Sequence, residues 1–230
     1  MVTECIILAG GLGTRLRSAV PDLPKCMAPV AGKPFLDHVI SYLQQQGIKR
    51  FIFSLGYMHE VIEDHIAKNH PELDVVYSIE EEPLGTGGAI QLAASFAKEE
   101  DVLILNGDTL FKVHLNMVAA FHSRVTAACT LALKPMKNFD RYGVVEIDVD
   151  GFISSFKEKQ HYESGLINGG VYLLHVQSFL DLELPKKFSF EKDYLEMFFA
   201  KQKVAGIIQD EYFIDIGIPE DFDRANKELI

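Results

Sequence analysis

Four short apolar runs in the first 106 residues are separated by helical patterns, and this alternation constrains the fold more than any other feature. Thr3–Leu8, Arg50–Ser54, Leu73–Ser78 and Val102–Asn106 read as strands. Between them, Phe35–Gln46, Met58–Lys68 and Gly85–Ala97 carry apolar residues at helical spacing. Gly47 ends the first helix, and Asn69-His70-Pro71 ends the second. A βαβαβαβ order implies a parallel sheet with helices on both faces. Right-handed crossovers make it doubly wound, a Rossmann-like α/β fold. Ligands on such sheets sit beyond the carboxyl ends of the strands. Three glycine-bearing segments each follow a strand: the loop after Leu8, Gly85-Thr86-Gly87-Gly88, and Asn106-Gly107-Asp108. All three are expected along one rim.

The second half changes character. Thr126–Leu133, Gly143–Ile147, Gly151–Phe156 and Leu166–Leu174 are strand-like and separated by polar turns. They read as antiparallel structure added to the edge or mouth of the sheet. Helical patterns return at Phe190–Ala200 and Pro219–Leu229. No linker or repeat interrupts the chain, so residues 1–230 read as one domain. Residues 1–110 form its first half, and 111–230 complete the pocket.

With a net charge of −11, a general nucleic-acid or membrane-surface binder is excluded. An anionic ligand must instead meet a local cluster of positive charge. Cys5, Cys26 and Cys129 are odd in number and form no C-x-x-C pair, which suits free thiols in a reducing compartment. A basic leader region and an apolar run of membrane-spanning length are both missing, so the expectation is a soluble, cytoplasmic protein.

The cluster of positive charge is in the opening loop, LAGGLGTRLRSAVPDLPKCMAPVAGKP, residues 8–34. Gly10, Gly11 and Gly13 let several backbone N–H groups point at phosphate oxygens. Arg15 offers a planar fork to an oxyanion, and Lys25 a mobile point charge. A glycine turn with solvated charges is the competing reading, and it weakens once Arg15 and Pro24-Lys25 are counted. The loop is neither a Walker A sequence nor a dinucleotide fingerprint, since Leu16 stands where the third glycine would be. Two aspartates stand out further on. Asp108 ends an apolar strand at the expected rim, where an Asx turn and a Mg²⁺ ligand are about equally plausible. Asp215 lies inside the apolar stretch Tyr212–Ile218, where a carboxylate is costly unless paired or coordinated. His59 and His65 are six residues apart and His70 precedes Pro71, so surface positions are expected for most of the eight histidines, with no metal cluster. Phe188, Phe190, Tyr194, Phe198 and Phe199 fit core packing or the interface of a homo-oligomer better than a base-stacking platform.

The segments LAGGLGTRLR and LPKCMAPVAGKP together resemble the signature of the sugar-1-phosphate nucleotidyltransferases. The resemblance implies a nucleotide-diphospho-sugar transferase type of fold, whose added antiparallel strands bind the sugar. It also implies transfer of a nucleotide from a nucleoside triphosphate to a sugar 1-phosphate with Mg²⁺, releasing pyrophosphate. Carried over to this chain, it assigns Leu8, Ala9, Gly10, Gly11, Gly13, Thr14 and Arg15 to the nucleotide, with Arg15 and Lys25 catalytic. In Glu80-Glu81-Glu82-Pro83-Leu84-Gly85-Thr86-Gly87-Gly88 it places Glu80, Gly85 and Thr86 beside the base. A carboxylate accepts both adjacent donors of a guanine edge, so Glu80 favours GTP over UTP or dTTP. Asp108 and Asp215 become the metal ligands. Tyr142-Gly143-Val144-Val145, Phe156-Lys157-Glu158-Lys159 and Asn168-Gly169-Gly170-Val171-Tyr172 resemble the sugar side. These give Gly143, Glu158, Lys159 and Asn168 to the sugar phosphate, with Lys159 catalytic. Glu-x-x-Pro-Leu-Gly-Thr-Gly-Gly and Ile-Asp-Ile-Gly-Ile-Pro-Glu-Asp look most like the members that act on D-glycero-α-D-manno-heptose 1-phosphate with GTP. The expected product is GDP-heptose for surface glycans. Mannose 1-phosphate guanylyltransferases and short uridylyltransferases are the neighbouring alternatives. A non-catalytic regulatory subunit is disfavoured because Arg15, Lys25, Asp108 and Asp215 are all present.

Overall fold

The computed structural model describes residues 2–11, 20, 22–201 and 203–229. In chain order the elements begin with β1 (Glu4–Leu8), a small hairpin of β2 (Pro29–Val30) and β3 (Lys33–Pro34), α1 (Phe35–Gln45), β4 (Arg50–Leu55), α2 (His59–Asn69), β5 (Asp74–Ile79), α3 (Gly85–Ala94) and β6 (Asp101–Asn106). There follow β7 (Thr109–Phe111), α4 (Leu115–Val125), β8 (Cys129–Phe139), β9 (Val144–Ile147), β10 (Ile153–Lys157), β11 (Tyr162–His175) and α5 (Val176–Leu180). The chain then runs through a π-helical turn (Phe190–Leu195), α6 (Glu196–Phe198), β12 (Val204–Ile208), β13 (Phe213–Asp215) and α7 (Pro219–Glu228).

β5, β4, β1 and β6 run parallel, as their spacing predicts. Alternate residues of each strand enter opposite faces. Cys5, Ile7, Phe51, Phe53, Leu103 and Leu105 join α1 and α2 on one face. Ile6, Ile52, Val102 and Ile104 join α3 on the other. Burial on both faces explains why these strands read as unbroken apolar runs. α1 buries Phe35, Leu36, Val39, Ile40 and Leu43 along one stripe. Gly47, at φ +91, lets the chain turn out of that helix.

The antiparallel strands extend this sheet at the β6 side. β11 pairs with β6 through Val171–His175, with β8 along most of its length, and with β9 at Ile167. The full order is β10-β9-β11-β6-β1-β4-β5, with β8 branching from β11 and β12 added parallel to β8. Helix α4 and strand β12 are elements that the sequence patterns do not disclose. α4 buries only Leu115, Val118 and His122. A histidine at the third core position breaks the apolar period. His122 is 2 % exposed, with Nδ1 2.8 Å from Thr130 Oγ1, so the expectation of surface histidines fails there.

The expected helix at Phe190–Ala200 is instead a π-helical turn leading into one short α turn. Its start is fixed by Ser189, whose N–H donates to Asp193 Oδ2 at 2.7 Å. Phe188, Phe190 and Tyr194 are buried against Phe179 and Tyr172, which makes the aromatic run a core element. Its docking partner is α3. Gly87 N–H donates to Phe188 O at 3.0 Å, and Phe188 N–H donates to Leu84 O at 3.0 Å. A Cβ on Gly87 would stand 2.1 Å from the Phe188 ring, and one on Gly88 2.4 Å from Lys186 O. These two glycines therefore make room for the 186–190 segment. Gly88→Ala is expected to destabilise the protein by about 1–3 kcal/mol in urea unfolding, the usual cost of overpacking. An unchanged midpoint would mean that the segment yields without strain.

Candidate active site

The carboxyl ends of the parallel strands are tied together by backbone bonds. Ala9 N–H donates to Ser54 O at 2.9 Å, Glu80 N–H to Leu55 O at 2.8 Å, and Gly107 N–H to Leu8 O at 2.9 Å. Above them opens a cavity of about 780 Å³, large enough for a nucleotide. Leu8–Gly11, Lys25, Glu80, Gly85-Thr86, Asn106–Thr109 and Asp215 all line it, so the three glycine-bearing segments do share one rim.

The electrostatic centre of the cavity is Lys25 between two carboxylates. Lys25 begins a 3-10 turn, Lys25–Met27, held by Met27 N–H to Pro24 O at 2.8 Å. Its ammonium donates to Asp108 Oδ2 and stands 3.6 Å from Asp215 Oδ1. Asp108 sits between β6 and β7, and Asp215 ends β13. β7 and β13 pair antiparallel with Asp215 opposite Thr109, and Ile216 N–H donates to Asp108 O at 3.0 Å. That ladder brings the two aspartates together from distant parts of the chain. Asp215 Oδ1 also accepts from Gly217 N–H at 2.8 Å. Its Oδ2 lies 3.4 Å from the Tyr142 hydroxyl and 3.7 Å from Arg141, which also pairs with Asp221. Burial, then the nearby Asp215 charge, pushes the Tyr142 hydroxyl pKa up, so it stays a proton donor. Asp221, in the first turn of α7, thus anchors an arginine at the site.

On the opposite wall Glu80 points inward. Its Oε2 accepts from Leu84 N–H at 2.8 Å, and a Cβ on Gly10 would fall 2.9 Å from its Oε1. Burial raises the Glu80 pKa, and the Leu84 bond partly offsets this. Glu81 and Glu82 are exposed, and Glu82 pairs with Lys186 at 2.7 Å. Thr86 Oγ1 donates to Glu191 Oε2 at 2.9 Å and accepts from Phe190 N–H at 2.9 Å. Glu191 and Tyr57 line the cavity and were not singled out by sequence. Tyr57 follows a strand end, and the rim rule alone could have found it. Glu191 carries no local signal, because its partner is 105 residues away.

The sugar-side candidates do not line this cavity. Gly143 lies against Lys157 O, which a Cβ there would approach to 2.4 Å. Lys157 pairs with Glu146, whereas Glu158 and Lys159 are exposed and their side chains make no ion pair among the described residues. The Asn168 amide donates to Tyr172 OH at 2.9 Å and accepts from Gly170 N–H at 3.0 Å. Gly170 in turn abuts the Asn106 amide at the cavity edge. Gly13, Thr14 and Arg15 lie outside the described residues.

A doubly wound sheet whose rim gathers a glycine loop, a lysine and two converging carboxylates is built for nucleotidyl transfer. The family described as nucleotidyl transferase matches residues 4–230, and the chain belongs to it. Among particular proteins it is 52 % identical to the D-glycero-alpha-D-manno-heptose 1-phosphate guanylyltransferase of Aneurinibacillus thermoaerophilus, covering 98 % of both chains. It is 47 % identical to the enzyme of the same name from Campylobacter jejuni, covering 95 % of this chain and 96 % of that one. The solved structure of HddC from Yersinia pseudotuberculosis superposes over the full length of both chains, with a TM-score of 0.88 and 38 % identity. The same protein complexed with GMP-PN gives a TM-score of 0.87 at 37 % identity.

Proposed function

We propose that this protein transfers a guanylyl group from GTP to D-glycero-α-D-manno-heptose 1-phosphate, giving GDP-heptose and pyrophosphate. The observation that carries the chemistry is the convergence of Asp108 and Asp215 on Lys25 at the nucleotide-sized cavity. The heptose and the GTP rest on the full-length likeness to two enzymes of that name and to a protein crystallised with GMP-PN. The inward Glu80 carboxylate is consistent with a guanine edge.

Two hard carboxylates that already share a cation suit Mg²⁺, with Asp108 and Asp215 as its ligands. When bound, Mg²⁺ would offset the charge of the phosphates. Two anions must meet in this reaction, so the residues act mainly by alignment and neutralisation. A heptose phosphate oxygen attacks the α-phosphorus in line and forms the new P–O bond. The α–β anhydride bond breaks, and pyrophosphate leaves with its electron pair. The attacking oxygen is already ionised, so no general base is required. Lys25 would turn from the carboxylates to the α-phosphate. Leu8–Gly11 with Gly13, Thr14 and Arg15 would hold the β- and γ-phosphates. Gly143, Glu158, Lys159 and Asn168 would bring the sugar phosphate in, with Lys159 on its oxygens. The cytoplasm, where GTP is kept, is the proposed site of action, and residues 1–230 act as one domain.

Pyrophosphate release with Mg²⁺ tests this, crossing GTP, UTP and dTTP against heptose, mannose and glucose 1-phosphates. GTP with the heptose is expected to exceed every other pair at least about tenfold in kcat/KM, a difference of about 1.4 kcal/mol. Preference for UTP or dTTP would overturn the base, and preference for mannose would overturn the sugar. No turnover from folded protein would overturn the catalytic reading.

A further inference from the structure

His65 and His70 show no ligand spacing in sequence, yet the fold brings both onto one carboxylate. Asp37 lies in the first turn of α1, His65 within α2, and His70 directly after it. Both Nε2 atoms face Asp37 Oδ1, at 2.7 Å from His65 and 2.9 Å from His70. The three ligand-type atoms lie within 4.8 Å of one another. Their side chains are only 13–15 % exposed. The two imidazole centroids are 5.8 Å apart, with rings inclined at 60°. Two imidazoles on one tetrahedral zinc ion, with Zn–N bonds of about 2.1 Å, hold their centroids about 5 Å apart. Small side-chain shifts therefore convert the present contact into a coordination shell. None of the three residues lines the nucleotide cavity.

We propose that Asp37, His65 and His70 form a second metal site, for a divalent transition ion of the Zn²⁺ class, completed by water. Two imidazole nitrogens and one carboxylate oxygen suit Zn²⁺ or Co²⁺, while Mg²⁺ prefers oxygen alone. On binding, the ion replaces the two Nε2 protons, which leave to solvent or pass to Nδ1. Beside the site, the Asn69 amide nitrogen donates to His65 O at 2.9 Å and lies 3.1 Å from His65 Nδ1, which fixes the end of α2 next to the two imidazoles. The ion would pin α1 to α2 at the start of α1. There Phe35 N–H donates to Ala28 O at 2.9 Å, just beyond the turn that carries Lys25. The site thus clamps the base of the Lys25 segment.

Metal-stripped protein is dialysed against Zn²⁺ with excess Mg²⁺ present, and bound zinc is counted. One equivalent is expected, with a raised Tm, and an affinity at least about tenfold weaker in His65→Ala and in His70→Ala. Asp108→Asn should bind zinc as the parent does. Absence of stoichiometric zinc, or its retention in the double histidine variant, overturns the site. NMR of the unmutated protein provides a readout independent of variant folding. Paramagnetic Co²⁺ should broaden the His65 and His70 ring signals and spare His114. Unaffected His65 and His70 signals overturn it equally.

Discussion

Asp108→Asn is expected to lower kcat by about three orders of magnitude or more, with the Tm moved by only a few degrees. The substitution is isosteric, and the Asp108 side chain is partly exposed, so folding loses little. Catalysis loses much more. The variant removes a charged ligand from the pair that would hold Mg²⁺, and it leaves Lys25 with Asp215 alone, 3.6 Å away. A thousandfold loss corresponds to about 4 kcal/mol of transition-state stabilisation, within the range of a lost metal ligand or oxyanion donor. The loss should fall on kcat and kcat/KM together, because the interaction is strongest where charge builds on the transferred phosphorus. Lys25→Ala provides an independent check. It removes the cation between Asp108 and Asp215 and leaves only Arg141, 3.7 Å from Asp215, so added Mg²⁺ should raise its Tm more than that of the parent. Near-normal turnover in Asp108→Asn would remove that residue from the mechanism.

Glu80→Gln is the second large expectation. If the Glu80 carboxylate accepts from the two adjacent guanine donors, exchanging it for an amide should lower kcat/KM for GTP by roughly 10–100-fold, as for other charge-assisted hydrogen bonds. UTP, whose edge suits an amide, should lose less. The stability effect has the opposite sign. Burial raises the pKa of folded Glu80, so the folded state holds its proton more tightly than the unfolded chain. That contribution is fully present below the ordinary glutamate pKa and is lost as pH rises through the raised folded value. The glutamine variant never ionises. Its Tm relative to the parent should therefore be higher near neutral pH than at pH 4. A GTP preference that survives the substitution would move base recognition to another residue.

The parallel half was legible in the sequence because β1, β4 and β6 are buried on both faces and α1 carries a regular apolar stripe. Asp215 was legible because a carboxylate in an apolar strand demands a partner, and its neighbours are Lys25, Arg141 and Tyr142. What stayed hidden depends on contacts remote in sequence. α4 uses a buried histidine where a pattern search expects an aliphatic residue. The aromatic run at Phe188–Tyr194 has nearly helical spacing, yet forms a π turn because it must dock on the glycines of α3. The segment that holds them was expected beside the base, through Glu80, Gly85 and Thr86. Gly87 and Gly88 make room for Phe188 and Lys186 instead, while Gly85 also lines the cavity. The meeting of His65 and His70 over Asp37 depends on how α1 packs beside α2, which spacing within one helix does not encode.

The β7–β13 ladder has a consequence for how the enzyme is made. Asp108 and Asp215 are separated by 215 − 108 = 107 positions, yet they meet only when Phe213–Asp215 pairs with Thr109–Phe111. The four parallel strands are all complete by Asn106. A ribosome-bound chain can therefore assemble the nucleotide-facing half of the sheet well before the second carboxylate has been synthesised. On the proposed mechanism such a nascent chain holds one of the two carboxylates and is expected not to consume GTP. Activity is thereby expected to wait for the synthesis of β13, and a product terminated before that strand is expected to be inert rather than wasteful.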